Sequence, residues 1–391
     1  MRYDFDTPYD RKGTGAVKWD EIPDGGLPMW IADMDFPTAP PVAEAIEKRA
    51  AHHVYGYTDI SGEWRHAYVN WWKTRRGFNM DPEKLIFSTG VIPTISSCVR
   101  RLTAPGEKVL ILTPVYNIFY NSILNNGRKV LENKLLYDKA KHEYSIDWDD
   151  LIAKLRDPQT TLMILCNPQN PSGNIWDKDT LIRIGELCKK NHVRVISDEI
   201  HCDIVAPGKE YIPFASVSET NREISVTCVA PTKTFNIAGI QTAAMIIPDP
   251  DLRHKMWRGV NTDEVGEGNC FSIDAVKAAY TREGGVWLDQ LREYLWKNRK
   301  IAEDFIAKNI PALKVIRSDA SYLMWVDCSA VTEDSDRFVA HLEKNAGLML
   351  NSGSHFGGNG DRFVRINLAC PESTLREGLT RLYNGTKIYN E

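Results

Sequence analysis

Lys233 is the one charged residue in the run CVAPTKTFNIAGIQTA, residues 228–243. Cys228, Val229 and Ala230 have the apolar character of the end of a buried strand, and Ile237, Ala238 and Ile240 add more apolar surface. An ammonium is rarely buried without an opposite charge or a covalent bond. Other chemistry-bearing residues fall at similar places. ISDEIHCD (196–203) opens as a buried strand and delivers Asp198 at its end, where a carboxylate needs a partner; His201 follows within one turn. CNPQNPSG (166–173) contains two Asn-Pro steps and a Pro-Ser-Gly turn, which force irregular backbone after a strand and leave Asn167 and Asn170 at its end. TPVYNIFY (113–120) sets Tyr116 just past another strand, as a stacking surface for a flat ring or as a core tyrosine. STGVIPTIS (88–96) puts Gly90 between a strand and a helix starting near Pro93. The N–H groups of Val91 and Ile92 there suit a phosphate, although a glycine so placed also serves as a plain turn.

Around one ligand these residues make a coherent set: a phosphate at a helix start, an aromatic on a ring, a carboxylate at a ring nitrogen and a lysine nearby. An aldehyde-bearing pyridine phosphate needs that set. Covalent attachment to the aldehyde resolves the buried-ammonium problem and makes the lysine a reusable nucleophile and base. The carboxylate keeps the pyridine nitrogen protonated, so that the ring can accept electrons.

The elements that must hold these residues are legible as a rhythm. LIFS (85–88), KVLIL (108–112), TLMILC (161–166), VRVIS (193–197), ISVTCV (224–229) and TAAMII (242–247) predict strands, and 92–103, 116–126 and 177–191 predict helices between them. Strands that are apolar at nearly every residue fit a sheet covered on both faces, so an α/β fold with a mainly parallel central sheet is expected. Ligands bind at the carboxyl ends of such strands. The pattern changes after residue 285. A long amphipathic helix (287–309), strands at 313–316, 322–327 and 363–369, a helix near 335–346 and a last helix from Glu372 predict a smaller α+β domain. The expected division is 1–45 as an N-terminal arm and part of the small domain, 46–285 as the large domain and 286–391 as the small one.

Composition narrows the function classes. The 391 residues carry a net charge of −4, with 43% hydrophobic and 26% charged residues, so no basic field for nucleic acid is expected. No apolar run approaches the roughly 20 residues of a membrane span, and MRYDFDTPYDRKGTG has no apolar signal core. The eight cysteines form no CxxC pair and fit reduced core residues of a cytoplasmic protein. No zinc spacing occurs, and no metal site is expected. KGTG (12–15) and GGNGD (357–361) predict turns, and the tryptophans at 71, 72, 287 and 296 predict core or subunit contacts.

The order NPxNPSG, DE, TK over most of the chain, from about 25 to 370, resembles the pyridoxal-phosphate-dependent aminotransferase superfamily of fold type I, class I/II. The resemblance implies that Lys233 bonds the cofactor aldehyde, Asp198 partners the pyridine nitrogen, Asn170 bonds the phenolic oxygen and Tyr116 stacks on the ring. It implies that Tyr57, in YGYTDISG, reaches a neighbouring subunit's phosphate in a homodimer. Arg365, in FVRINLA, would grip the substrate α-carboxylate as a bidentate fork. Three positions depart from the wider family: His201 stands where a tyrosine is usual, Gln241 where an arginine is usual and Ala230 where a serine is frequent. Without that arginine, the phosphate would lean on the helix-start amides, Thr232 and Tyr57.

LPMWIADMDFPTAPPV, YGYT, DEIHCD and KTFNIAGIQ together resemble the MalY/PatB-type carbon–sulfur β-lyases, where the histidine and glutamine are expected. That resemblance implies that Ala32 lends its backbone N–H to the substrate carboxylate, alongside Arg365 and Asn170, while His201 tunes the phenolic oxygen. The implied reaction is α,β-elimination from cystathionine or a related cysteine S-conjugate, with Lys233 as base, giving thiol, pyruvate and ammonia. The alternatives are a true aminotransferase on the same fold, and a lyase that also binds a transcription regulator.

Overall fold

The computed structural model describes residues 2–389. Seven strands form the central sheet: β1 (Leu85–Ser88), β2 (Lys108–Thr113), β3 (Lys129–Lys134), β4 (Thr160–Cys166), β5 (Arg194–Asp198), β6 (Ser225–Val229) and β7 (Ala243–Ile246). Their spatial order is β1-β7-β6-β5-β4-β2-β3, and all are parallel except β7, which runs against both neighbours. Ile164, Ile196 and Val226 are fully buried at the centre, as expected for strands covered on both faces. The chain steps outward from β2 to β3 and then crosses to β4 on the other side of β2. The crevice at the carboxyl ends of β2 and β4 is therefore a switch point, where α/β sheets bind ligands.

The helices are amphipathic at the period the sheet requires. Val91–Leu102 buries Val91, Ile95, Cys98 and Val99, which recur on one face. Ile95 is completely buried, and shortening it to alanine costs about 2–5 kcal/mol in such a core. Gly62–Arg76 starts where the Ser61 side chain accepts from Trp64 N–H, and stops at Gly77, whose φ of 61° suits glycine. It buries Trp64, Tyr68, Trp71 and Trp72, and Trp71 stacks on Tyr280 at 4.9 Å.

The second sheet comprises β8 (Lys314–Val315), β9 (Leu323–Asp327), β10 (Asn351–Ser352) and β11 (Phe363–Asn367), antiparallel in the order β8-β9-β11-β10. Helices Arg282–Asn309, Ser335–Ala346 and Glu372–Tyr389 cover it through Ile306, Leu342 and Leu375.

Several elements differ from the sequence expectation. The predicted helix 116–126 contracts to Ile118–Leu124, so Tyr116 lies in the loop before it. The predicted helix 287–309 begins earlier, at Arg282, because the Thr281 side chain accepts from Gly284 N–H and caps it there. The helix expected near Pro93 begins at Val91, with Gly90 as its cap residue. The first 45 residues are more ordered than their weak periodicity predicts. Leu27–Pro28 pairs in parallel with Leu348–Met349, and a helix spans Pro40–Ala50 with proline in its first turn. β3 has little apolar character because it is the sheet edge, and the short hairpin Leu136–Asp138 with Glu143–Ser145 has no strong pattern either. Among the described residues all eight cysteines are free, and no helix is long and apolar enough to cross a membrane.

Candidate active site

Five turns at the carboxyl end of the large sheet converge on a cavity of about 210 Å³. Its walls include Gly90, Val91 and Ile92 after β1, Tyr116 after β2, Asn170 after β4, Asp198 and His201 at β5, and Lys233 after β6. Ala32 closes it from the N-terminal segment. Thr232, Arg365 and Tyr57 are not among its walls. Thr232 is buried beside Lys233, and Tyr57 is fully exposed on the surface of the single chain. Arg365 reaches the cavity indirectly: its Nη1 donates to Asn170 Oδ1 at 3.0 Å.

Local structure fixes the orientation of these groups. Asp198 is the last residue of β5, and its Oδ1 accepts from the backbone N–H of Ile200 at 3.1 Å. No cation lies within ion-pair distance of it among the described residues, and burial pushes its carboxyl up to about 7. The turn carrying Lys233 is tied down by Phe235, which stacks on Trp287 at 5.7 Å, and by Asn236. Lys233 Nζ donates to the carbonyl of Ala32 at 2.6 Å, a contact that Tyr322 Oη shares at 3.0 Å. Burial, with the nearby Arg365 charge, brings the lysine down to about 8. Burial, Lys233 and Arg365 hold His201 neutral, down to about 3, and its buried Nδ1 has no hydrogen-bond partner.

Arg365 lies on β11 directly opposite Asn351 on β10, and its Nη2 donates to Asn351 Oδ1 at 2.6 Å and to the carbonyl of Trp30 at 3.1 Å. Its guanidinium packs 4.8 Å from the Phe356 ring, and its Nε has no partner. Burial lowers it to about 10, so it stays cationic at neutral pH.

These residues fit pyridoxal phosphate. A buried carboxylate without a counter-cation suits a protonated ring nitrogen, and the unpartnered His201 nitrogen suits a nearby acceptor or donor. The first N–H groups of the helix Val91–Leu102 have no partners within the helix and face a phosphate well. Tyr116 offers a ring face, and Lys233 a partly deprotonated amine, to the same space.

The sequence pattern of the family described as aminotransferase class I and II matches residues 29–382. The chain belongs to that family. Cystathionine β-lyase PatB of Bacillus subtilis (strain 168) is 42% identical over 383 residues, covering 97% of this chain and 98% of its own length. Protein MalY of Escherichia coli (strain K12) is 32% identical, covering 98% of this chain and 99% of its own. The crystal structure of cystalysin from Treponema denticola, which contains a pyridoxal 5′-phosphate cofactor, superposes with a TM-score of 0.95 at 34% identity. It covers 99% of this chain and all of that one. Fold type I and dependence on pyridoxal phosphate are therefore properties of this chain.

Some residues of the site carried no functional signal in the sequence. Cys166, Pro93 and Ile200 complete the walls, and each sits beside a residue that did stand out. Asn351 and Asn367, on the second sheet, and Tyr322, just before β9, stand behind the walls and bond Arg365, Ile31 and Ala32 in turn. Only spacing from Arg365 could have pointed to Asn367, two positions on along the same strand.

Proposed function

We propose that this protein is a pyridoxal-phosphate-dependent carbon–sulfur β-lyase that cleaves L-cystathionine or related cysteine S-conjugates to a thiol, pyruvate and ammonia. The observation that carries the reaction type is the full-length likeness to cystathionine β-lyase PatB, at 42% identity. The walls of the cavity support the chemistry.

In this reading Gly90, Val91, Ile92, Thr232 and the partner's copy of Tyr57 hold the phosphate, Tyr116 and Asn170 the ring, and Lys233 the aldehyde. Pyridoxal phosphate, when bound, supplies an electron-withdrawing ring that makes the substrate Cα–H acidic. Asp198 keeps a positive charge at the ring nitrogen. Arg365, Asn170 and the Ala32 N–H fix the substrate carboxylate, which sets the direction of the Cα–H bond. Neutral Lys233 takes the Cα proton, and the resulting ammonium returns a proton to the departing sulfur as the Cβ–S bond breaks. His201, neutral and buried, tunes the phenolic oxygen. The 2-aminoacrylate left behind reacts with water to give pyruvate and ammonia.

The same reading divides the chain into an arm (1–45), a cofactor-binding domain (46–285) and a small domain (286–391), acting as a homodimer in the cytoplasm. Incubation with cystathionine and no keto acid tests it. Elimination predicts steady pyruvate release; amino-group transfer that begins only when a keto acid is added would favour an aminotransferase instead.

A further inference from the structure

Side chains from distant elements hold every carbonyl of the segment Trp30–Met34. Arg365 binds the carbonyl of Trp30, Lys233 and Tyr322 that of Ala32, and Asn236 that of Met34. Asn367 binds two: its Nδ2 donates to the carbonyls of Ile31 and Asp33, each at 2.6 Å. Its Oδ1 accepts from Ala369 N–H at 2.8 Å, so both ends of the amide are engaged and its orientation is fixed. Asn367 is 1% exposed. The two carbonyls it binds flank Ala32, which lines the cavity.

Asn367 also stands two residues after Arg365 on β11, and alternation along a strand puts both side chains on one face. One rigid strand therefore sets the guanidinium and the Ala32 backbone at a fixed separation. No other side chain of similar size does the same work. An aspartate would turn oxygen atoms toward both carbonyls, and a leucine would leave both without partners.

We propose that Asn367 is a positioning residue for the substrate α-carboxylate, acting through the Ile31 and Asp33 carbonyls to aim Ala32 at the group that Arg365 grips. This rests on the reading that Arg365 and Ala32 hold that carboxylate. Asn367 is not among the walls of the cavity; its contribution is the fixed geometry between the two groups assigned to the carboxylate.

The test compares two probes binding to the cofactor-loaded enzyme, followed by cofactor absorbance: S-methyl-L-cysteine, and 2-(methylthio)ethylamine, which lacks the carboxylate. Asn367→Ala should shrink the affinity ratio of the two by about tenfold or more, with affinity for the amine changed less than about threefold. In cofactor-free protein the same variant should speed amide exchange in segment 31–34 by about tenfold or more. If Asn367→Ala does not fold, Asn367→Ser replaces it, because serine is too short to reach both carbonyls. Arg365→Ala runs in parallel. Loss of the ratio in both variants supports the inference. Loss with Asn367→Ala alone overturns the reading that Arg365 grips the carboxylate, and the inference with it. Loss with Arg365→Ala alone overturns the inference and leaves the reading intact, and loss in neither overturns both.

Discussion

Asp198→Asn should stabilise the cofactor-free protein while disabling the enzyme. Asp198 is 4% exposed, and its only hydrogen-bond donor among the described residues is the Ile200 N–H, a contact that asparagine keeps. Burial raises its carboxyl from the usual 3.8 to about 7. Because the folded value lies above the unfolded one, this group favours the folded state fully below pH 3.8 and loses that advantage as pH rises through about 7. The span between the two values, which already includes the attraction of Lys233, corresponds to about 4 kcal/mol of destabilisation above pH 7. Thermal unfolding of cofactor-free wild type and Asp198→Asn should therefore differ by about 3–5 °C in favour of the variant at pH 8, with the gap shrinking by half or more toward pH 5. The same variant should lose elimination activity by about a thousandfold or more, since the ring nitrogen would lose the anion that keeps it protonated. Equal or lower stability of the variant at pH 8 would refute the claim that Asp198 is a carboxylate held ready for an absent cation.

Other expectations follow from the same geometry. Lys233→Ala should remove both the visible band of the bound cofactor and turnover, and absorbance with a pyruvate assay checks both. Tyr57, exposed in the single chain, should matter only in a dimer: Tyr57→Phe should weaken cofactor affinity by about tenfold in equilibrium dialysis. A fully active monomer on sedimentation would contradict that. Gly173→Ala should lower stability by about 3 kcal/mol or more in denaturant unfolding, because φ is +72° and a Cβ there would lie 2.5 Å from the Ala320 carbonyl.

The strand-end residues are legible in the sequence because parallel strands buried on both faces are almost wholly apolar. A polar residue at such a boundary, as with Asp198, Asn170 and Lys233, therefore stands out. The identities of His201 and Gln241 are visible too, as departures from a wider pattern. The strap that includes Ala32 is different. Its shape comes from contacts such as Asn367 to Ile31, 336 residues apart, and nothing local encodes them. Asn351 is likewise placed by strand register against Arg365, which no short window of sequence contains. Nothing in the sequence reading marks the helix Gly62–Arg76: Trp71 and Trp72 alone stand out, as core or subunit contacts, although Trp64, Tyr68, Trp71 and Trp72 share one face.

Cleavage of a carbon–sulfur bond by elimination is the reaction that this cavity and the likeness to PatB support. The most direct measurement follows thiol and pyruvate together as purified protein acts on L-cystathionine without a keto acid, for wild type and Lys233→Ala side by side. One thiol for each pyruvate from wild type, and neither from the variant, is the predicted result. A bound-cofactor band in the wild type with no thiol and no pyruvate would contradict it.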